Sequence, residues 1–151
     1  IFEGETINTP SMLCVEDALD GLRWAESIGG LKGLVGRTEA NAAALDAWVR
    51  KTPWAGYLAA EQRYRSPTSV CVTITDPAVA ALEAKAQQDF VKRLVAPLEA
   101  EGVAYDIAGH RDAPAHLRIW CGATVDAADI AALGPWLDWA WNDVTGKKQA
   151  A

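Results

Sequence analysis

Ser69-Val70-Cys71-Val72-Thr73-Ile74-Thr75 decides how this chain is read. Val70, Val72 and Ile74 alternate with smaller or polar residues, the period-two pattern of a strand with one buried face. Leu117, Ile119 and Cys121 repeat the pattern downstream, and so do Val103, Tyr105 and Ile107. The connection from Gly109 to Ala115 is polar and contains Pro114, so these last two runs predict a hairpin. Gly56 to Ala59 gives a weaker strand signal upstream.

Helical patterns surround the strands. Asp76-Pro77 opens a helix expected over 78–101, with Phe90, Leu94 and Leu98 on one face and a kink at Pro97. Thr124 or Asp126 caps a final helix over 127–144, which Pro135 bends or splits. At the other end, residues 1–9 read as extended. Thr9 then caps a helix whose first residue is Pro10. Its apolar residues are Leu13, Cys14, Ala18, Leu22, Ala25 and Ile28, and Gly29-Gly30 stops it. A second helix follows over 31–51, with Leu31, Leu34, Val35, Ala42, Leu45, Trp48 and Val49 as its stripe, and Pro53 ends it. The order is helix, helix, strand, strand, helix, strand, strand, helix. The class is α+β, an antiparallel sheet with helices on one face, preceded by two linking helices.

Composition excludes several functions. The 151 residues carry a net charge of −6 and no basic stripe, which argues against nucleic-acid binding. No apolar run reaches the roughly 18 residues needed to span a bilayer, and no signal peptide is visible. Cys14, Cys71 and Cys121 are odd in number, far apart, and each in an apolar stretch. They read as buried, reduced thiols, which places the chain in the cytoplasm. Seven tryptophans are many for one domain. Trp136, Trp139 and Trp141 either fill a Trp-rich core or pack on a surface outside this sequence. The chain opens on Ile1 rather than Met, which points to further sequence ahead of it.

Two constellations bear on chemistry. Asn8-Thr9-Pro10 brings an amide and a hydroxyl to a helix start, where unpaired N–H groups attract phosphate or carboxylate. An N-cap at Thr9 and a turn at Asn8 is the simpler reading of the same residues. His110, Arg111, His116 and Arg118 crowd one expected hairpin in an otherwise acidic chain. Asp112 can neutralise one arginine. Arg118 interrupts an apolar strand, where an unpaired charge is costly, so it faces either an anion in a cleft or an acid of the chain. No third ligand joins the two histidines, so no metal site is expected. Arg65-Ser66 reads as a loop salt bridge or as a contact to a neighbouring domain. No Gly-rich phosphate loop, nucleophile elbow or desolvated lysine is apparent, so no catalytic residue is assigned.

Several stretches together resemble phosphoserine aminotransferases of the alphaproteobacterial type. They are Phe2 to Met12, Ile28 to Lys32, Ser69-Val70-Cys71, Gly102 to Ile107 and Leu117 to Thr124, in order along nearly the whole chain. The resemblance implies a fold-type I, pyridoxal-phosphate-dependent homodimer. Such an enzyme moves an amino group between glutamate and 3-phosphohydroxypyruvate in serine synthesis. It also implies that residues 1–30 end a large-domain segment and linking helix, and that residues 31–151 form the small C-terminal domain. The Schiff-base lysine would lie upstream, so the isolated chain would be inactive. Carried over by position, Asn8 and Thr9 would hold the cofactor phosphate, His110 and Arg111 the substrate phosphate, and Arg118 the α-carboxylate. A free-standing α+β module that binds a small anionic amino acid is the alternative.

Overall fold

The structure, a computed structural model, describes residues 8–146. Most of the leading segment expected to be extended, and the Lys147-Lys148 tail, lie outside the described residues. The chain divides into two units, Ile1–Gly36 and Arg37–Ala151, and the division falls within the second helix.

In the first unit, α1 spans Met12–Ser27. Its cap is Ser11, not Thr9: the Ser11 hydroxyl accepts from the Cys14 N–H at 3.5 Å, the third N–H of the helix. The helix therefore starts two residues later than the Thr9-Pro10 pairing suggests. None of its residues is buried; Met12, Leu13 and Leu22 are 70%, 72% and 63% exposed. Gly29 and Gly30 end it with φ of 101° and 63°, as expected of glycine after a helix. The next helix, α2 (Gly30–Val49), starts at once. Gly33 permits this tight return, because a Cβ there would sit 2.0 Å from the Ile28 carbonyl oxygen.

The second unit is built on an antiparallel sheet of β1 (Ala55–Tyr57), β2 (Ser69–Ile74) and β3 (Leu117–Trp120), in that order. Val72 stands opposite Tyr57 on one side and Leu117 on the other, and Cys71 stands opposite Arg118. This register puts Val70, Val72, Ile74, Leu117 and Ile119 on one buried face. They pack with Phe90, Leu94 and Leu98 of α4 (Ala84–Ala100) and with Leu137 and Trp141 of α5 (Ala127–Thr145). Each such side chain contributes about 1.5–3 kcal/mol through removal from water. Trp141 stacks on Trp54 with centroids 4.6 Å apart, while Trp48 and Phe90 meet this pair edge-on. Part of the tryptophan excess is thus core; Trp24, Trp120 and Trp136 remain exposed.

Two elements expected in the second unit differ in the structure. The single helix over 78–101 is two helices, α3 (Pro77–Ala80) and α4. Asp76 caps α3 by accepting from the Ala78 N–H at 2.9 Å. The Gln87 amide donates to the carbonyls of Ala80 and Leu82, supplying partners that a continued helix would have provided. The run Val103 to Ile107 is not a strand. Val103 and Ala104 fold back to the Leu98 carbonyl, and Asp106 takes a positive φ of 53°. Of the expected hairpin a bridge between Ala108 and Leu117 is what forms, so among the described residues the sheet has three strands rather than four. Both internal prolines, Pro97 and Pro135, sit within unbroken helices.

Candidate functional site

Arg118 lies in β3 between Leu117 and Ile119, and the pleat turns it to the opposite, open face of the sheet with Trp120. Arg118 is therefore exposed, contrary to the expectation of a costly buried charge. Its side chain is 43% exposed and pairs with the carboxylate of Asp106 at 3.3 Å. That contact uses one terminal nitrogen, and the guanidinium makes no other polar contact to the described residues. Asp106 has a left-handed backbone and lies between the exposed Tyr105 and the buried Ile107. The Ile107 carbonyl accepts from the Arg118 N–H at 2.8 Å, which fixes the two residues side by side. Trp120 folds over Gly122, where a Cβ would approach its ring to 2.2 Å, and donates to the Thr124 hydroxyl at 2.9 Å.

The loop over 109–116 ends the open face. His116 is buried, 4% exposed, and its Nδ1 donates to the Pro114 carbonyl at 2.6 Å. Gly109 makes room for that ring, since a Cβ there would meet it at 2.5 Å. His116 is thus a satisfied structural histidine. His110 and Arg111 are exposed at the tip, and both flank Asp112, with Arg111 Nε 3.5 Å from its carboxylate. The Asp112 N–H donates to His110 Nδ1 at 3.2 Å. His110, Arg111 and Lys92 line one pocket of about 90 Å³ with Gln88 of α4. Arg118 does not line it. The structure therefore brings His110 and Arg111 together and leaves Arg118 on an open surface rather than in a cleft. Asn8 and Thr9, in the first unit, are both exposed.

Residues that periodicity cannot find hold the segment after β3. Asn41, 1% exposed, donates through Nδ2 to the carbonyls of Cys121, Gly122 and Val125. Arg37 donates to the carbonyls of Ala123 and Val125 and to the Asp126 carboxylate. Their partners lie about 80 to 89 positions away in sequence, so no local signal marks them. Arg65 forms no salt bridge among the described residues. Its guanidinium lies 4.0 Å over the Tyr57 ring and donates to the carbonyls of Ala59 and Ala60. Tyr57 donates in turn to Asp46, which also accepts from Arg50. Burial and the bond to Asp46 push the Tyr57 hydroxyl up to about 12. Burial raises Asp46 too, but its bonds from Arg50 and Tyr57 outweigh that and hold it below the usual carboxylate range.

The cysteine expectation is corrected in part. Cys121 is buried, and burial pushes its thiol up to about 11, but Cys71 is only half-buried and Cys14 is exposed. Among the described residues no cluster of three metal-ligating side chains occurs, and no helix is long and apolar enough to cross a membrane.

The three-stranded sheet with its helices shares its fold with part of solved phosphoserine aminotransferases. It superimposes with TM-score 0.70 on a phosphoserine aminotransferase from Bacillus circulans subsp. alkalophilus, at 17% identity over 90% of this chain and 34% of that one. A second solved phosphoserine aminotransferase, studied for radiation damage of its Schiff base, gives TM-score 0.72 at 17% identity, covering 90% of this chain and 35% of that one. No family model matches the chain. Sequence similarity narrows the class: the chain is homologous to the C-terminal portion of phosphoserine aminotransferases. It is 49% identical over 142 residues to the phosphoserine aminotransferase of Methanosarcina barkeri and 48% to that of Methanosarcina mazei. A relative from a Nocardioides species is 29% identical over 137 residues. The Methanosarcina matches cover 94% of this chain but 36% of the relatives, so the chain spans about a third of their length.

Proposed function

We propose that this chain serves as the C-terminal part of a phosphoserine transaminase, in which it binds the anionic ends of the substrates. The reaction exchanges an amino group between glutamate and 3-phosphohydroxypyruvate, a step toward serine. The observation that carries the reading is the 49% identity across 94% of the chain. The geometry is compatible with it. Arg118 presents a guanidinium with one monodentate partner on an open sheet face, suited to a carboxylate. His110 and Arg111 offer donors at a pocket of about 90 Å³, suited to a phosphate. A similarity that runs through one part of a much longer enzyme gives no support to a free-standing binding module.

Pyridoxal phosphate, when bound, would supply the electron sink for the amino transfer. The residues present fit only its phosphate end. Asn8 and Thr9 are exposed and carry an amide and a hydroxyl just ahead of α1. The four lysines among the described residues, Lys32, Lys51, Lys85 and Lys92, are all exposed, and none is a desolvated amine able to anchor a carbonyl group. The chain's own part is to orient the substrate and neutralise its charge. In this reading the enzyme is a cytoplasmic homodimer, and the isolated chain neither binds the cofactor tightly nor turns over substrate. The experiment joins the chain to the upstream portion of a phosphoserine aminotransferase. Transaminase activity and cofactor absorbance in the joined protein, and neither in the chain alone, support the reading. Absence of both from the joined, folded protein refutes it.

A further inference from the structure

The pocket at the 109–113 turn has a wall that neither the resemblance nor the relatives assign. Gln88, half-buried on α4, points its side-chain amide at this turn. Nε2 donates to the Arg111 carbonyl at 2.9 Å and to the Ala113 carbonyl at 3.3 Å. Both amide hydrogens are therefore spent on the backbone of the residues that flank Asp112. The turn has little else to fix it: the Ala113 N–H returns to the His110 carbonyl at 3.0 Å, and the Asp112 N–H reaches the His110 ring. The side chains of His110 and Arg111 are 65% and 88% exposed, so packing does not hold them.

α4, by contrast, is anchored by Val91 and Leu94, which are 3% and 0% exposed. We propose that Gln88 is a positioning residue for the phosphate end of the substrate. It ties the His110-Arg111 turn to a helix anchored in the core, so that both side chains are presented before the ligand arrives. The ordering cost of the turn is then met in folding rather than in binding. The inference rests on the reading of His110 and Arg111 as phosphate contacts. It adds that affinity for the phosphorylated substrate, and not for glutamate, depends on a residue that touches neither.

Gln88→Met keeps the length and removes both donors; Gln88→Glu replaces them with an acceptor facing two carbonyls. In the full-length transaminase carrying this chain, Gln88→Met should raise KM for the phosphorylated substrate about 3- to 10-fold, the equivalent of one or two lost hydrogen bonds. The KM for glutamate, kcat and the unfolding midpoint should stay near their original values. Gln88→Glu should raise the same KM further. An equal rise in both KM values, or none, overturns the proposal. Arg111→Ala separates the two levels. If it raises KM for the phosphorylated substrate and Gln88→Met does not, only the positioning role falls. If neither substitution changes that KM, the phosphate reading of the turn falls and the positioning role with it.

Discussion

The two faces of one sheet behave differently although they are woven from the same short strands. On the closed face, Val70, Val72, Ile74, Leu117 and Ile119 are buried against α4 and α5. On the open face, Ser69, Cys71 and Thr73 are half-buried while Arg118 and Trp120 are exposed. The closed face stabilises the domain, because each side chain leaves water among close-packed neighbours. The open face contributes less to stability and, in the proposed function, carries the guanidinium that meets a substrate carboxylate. Alternation along β2 and β3 is what lets one strand do both.

Substitutions on the two faces sharpen that contrast, and the largest stability effect belongs to the closed one. Leu117→Ala, at a residue with 0% exposure, should cost about 3 kcal/mol in denaturant unfolding. A loss under about 1 kcal/mol would mean that this face is not packed as described. Asn41→Ala comes next, at about 2 kcal/mol, since it strips the donor from the carbonyls of Cys121, Gly122 and Val125.

Two carboxylates then give opposite pH dependence. Asp46 is held low in the folded chain, so its contribution is present above the ordinary carboxylate range and disappears as acid protonates it. Asp46→Asn should therefore lower the unfolding midpoint at neutral pH, with the deficit closing in acid. Asp138 is held high by burial, which the bonds from Trp48 and Trp54 only partly offset. Its charged form costs stability once the pH rises above the ordinary carboxylate range. Asp138→Asn should raise the midpoint slightly at neutral pH, with the gain fading in acid. Midpoints measured across that range check both signs. The smallest stability effect is expected on the open face, where Arg118→Ala should cost no more than about 1 kcal/mol, as exposed ion pairs do.

Much of this was legible from the chain, and what was not has physical causes. Alternation at Ser69 to Thr75 and at Leu117 to Cys121 marks β2 and β3, because burial on one face demands it. The same alternation at Val103 to Ile107 misleads. There Val103 and Ala104 cap the end of α4 through the Leu98 carbonyl, and only the positive φ at Asp106 reveals the turn. Nothing between Ala81 and Glu83 breaks a helix by type, so the gap between α3 and α4 is visible only through Gln87. Arg118 was identifiable as an odd residue in an apolar strand, but its exposure followed from the pleat and from the pairing with Asp106. Gln88, Arg37 and Asn41 act on backbone carbonyls distant in sequence, which no periodicity records. Asn8 and Thr9 stood out as an amide and a hydroxyl at a helix start, but the helix begins two residues later and is capped by Ser11, so the local pattern misplaced the cap.

The open face is most directly tested by KM measurements on the full-length transaminase with Arg118→Ala. The account predicts a rise of about 10- to 100-fold for the amino-acid substrates, the loss expected when a charge-assisted bond to a carboxylate is removed, with the fold intact. An unchanged KM in a correctly folded enzyme would contradict it.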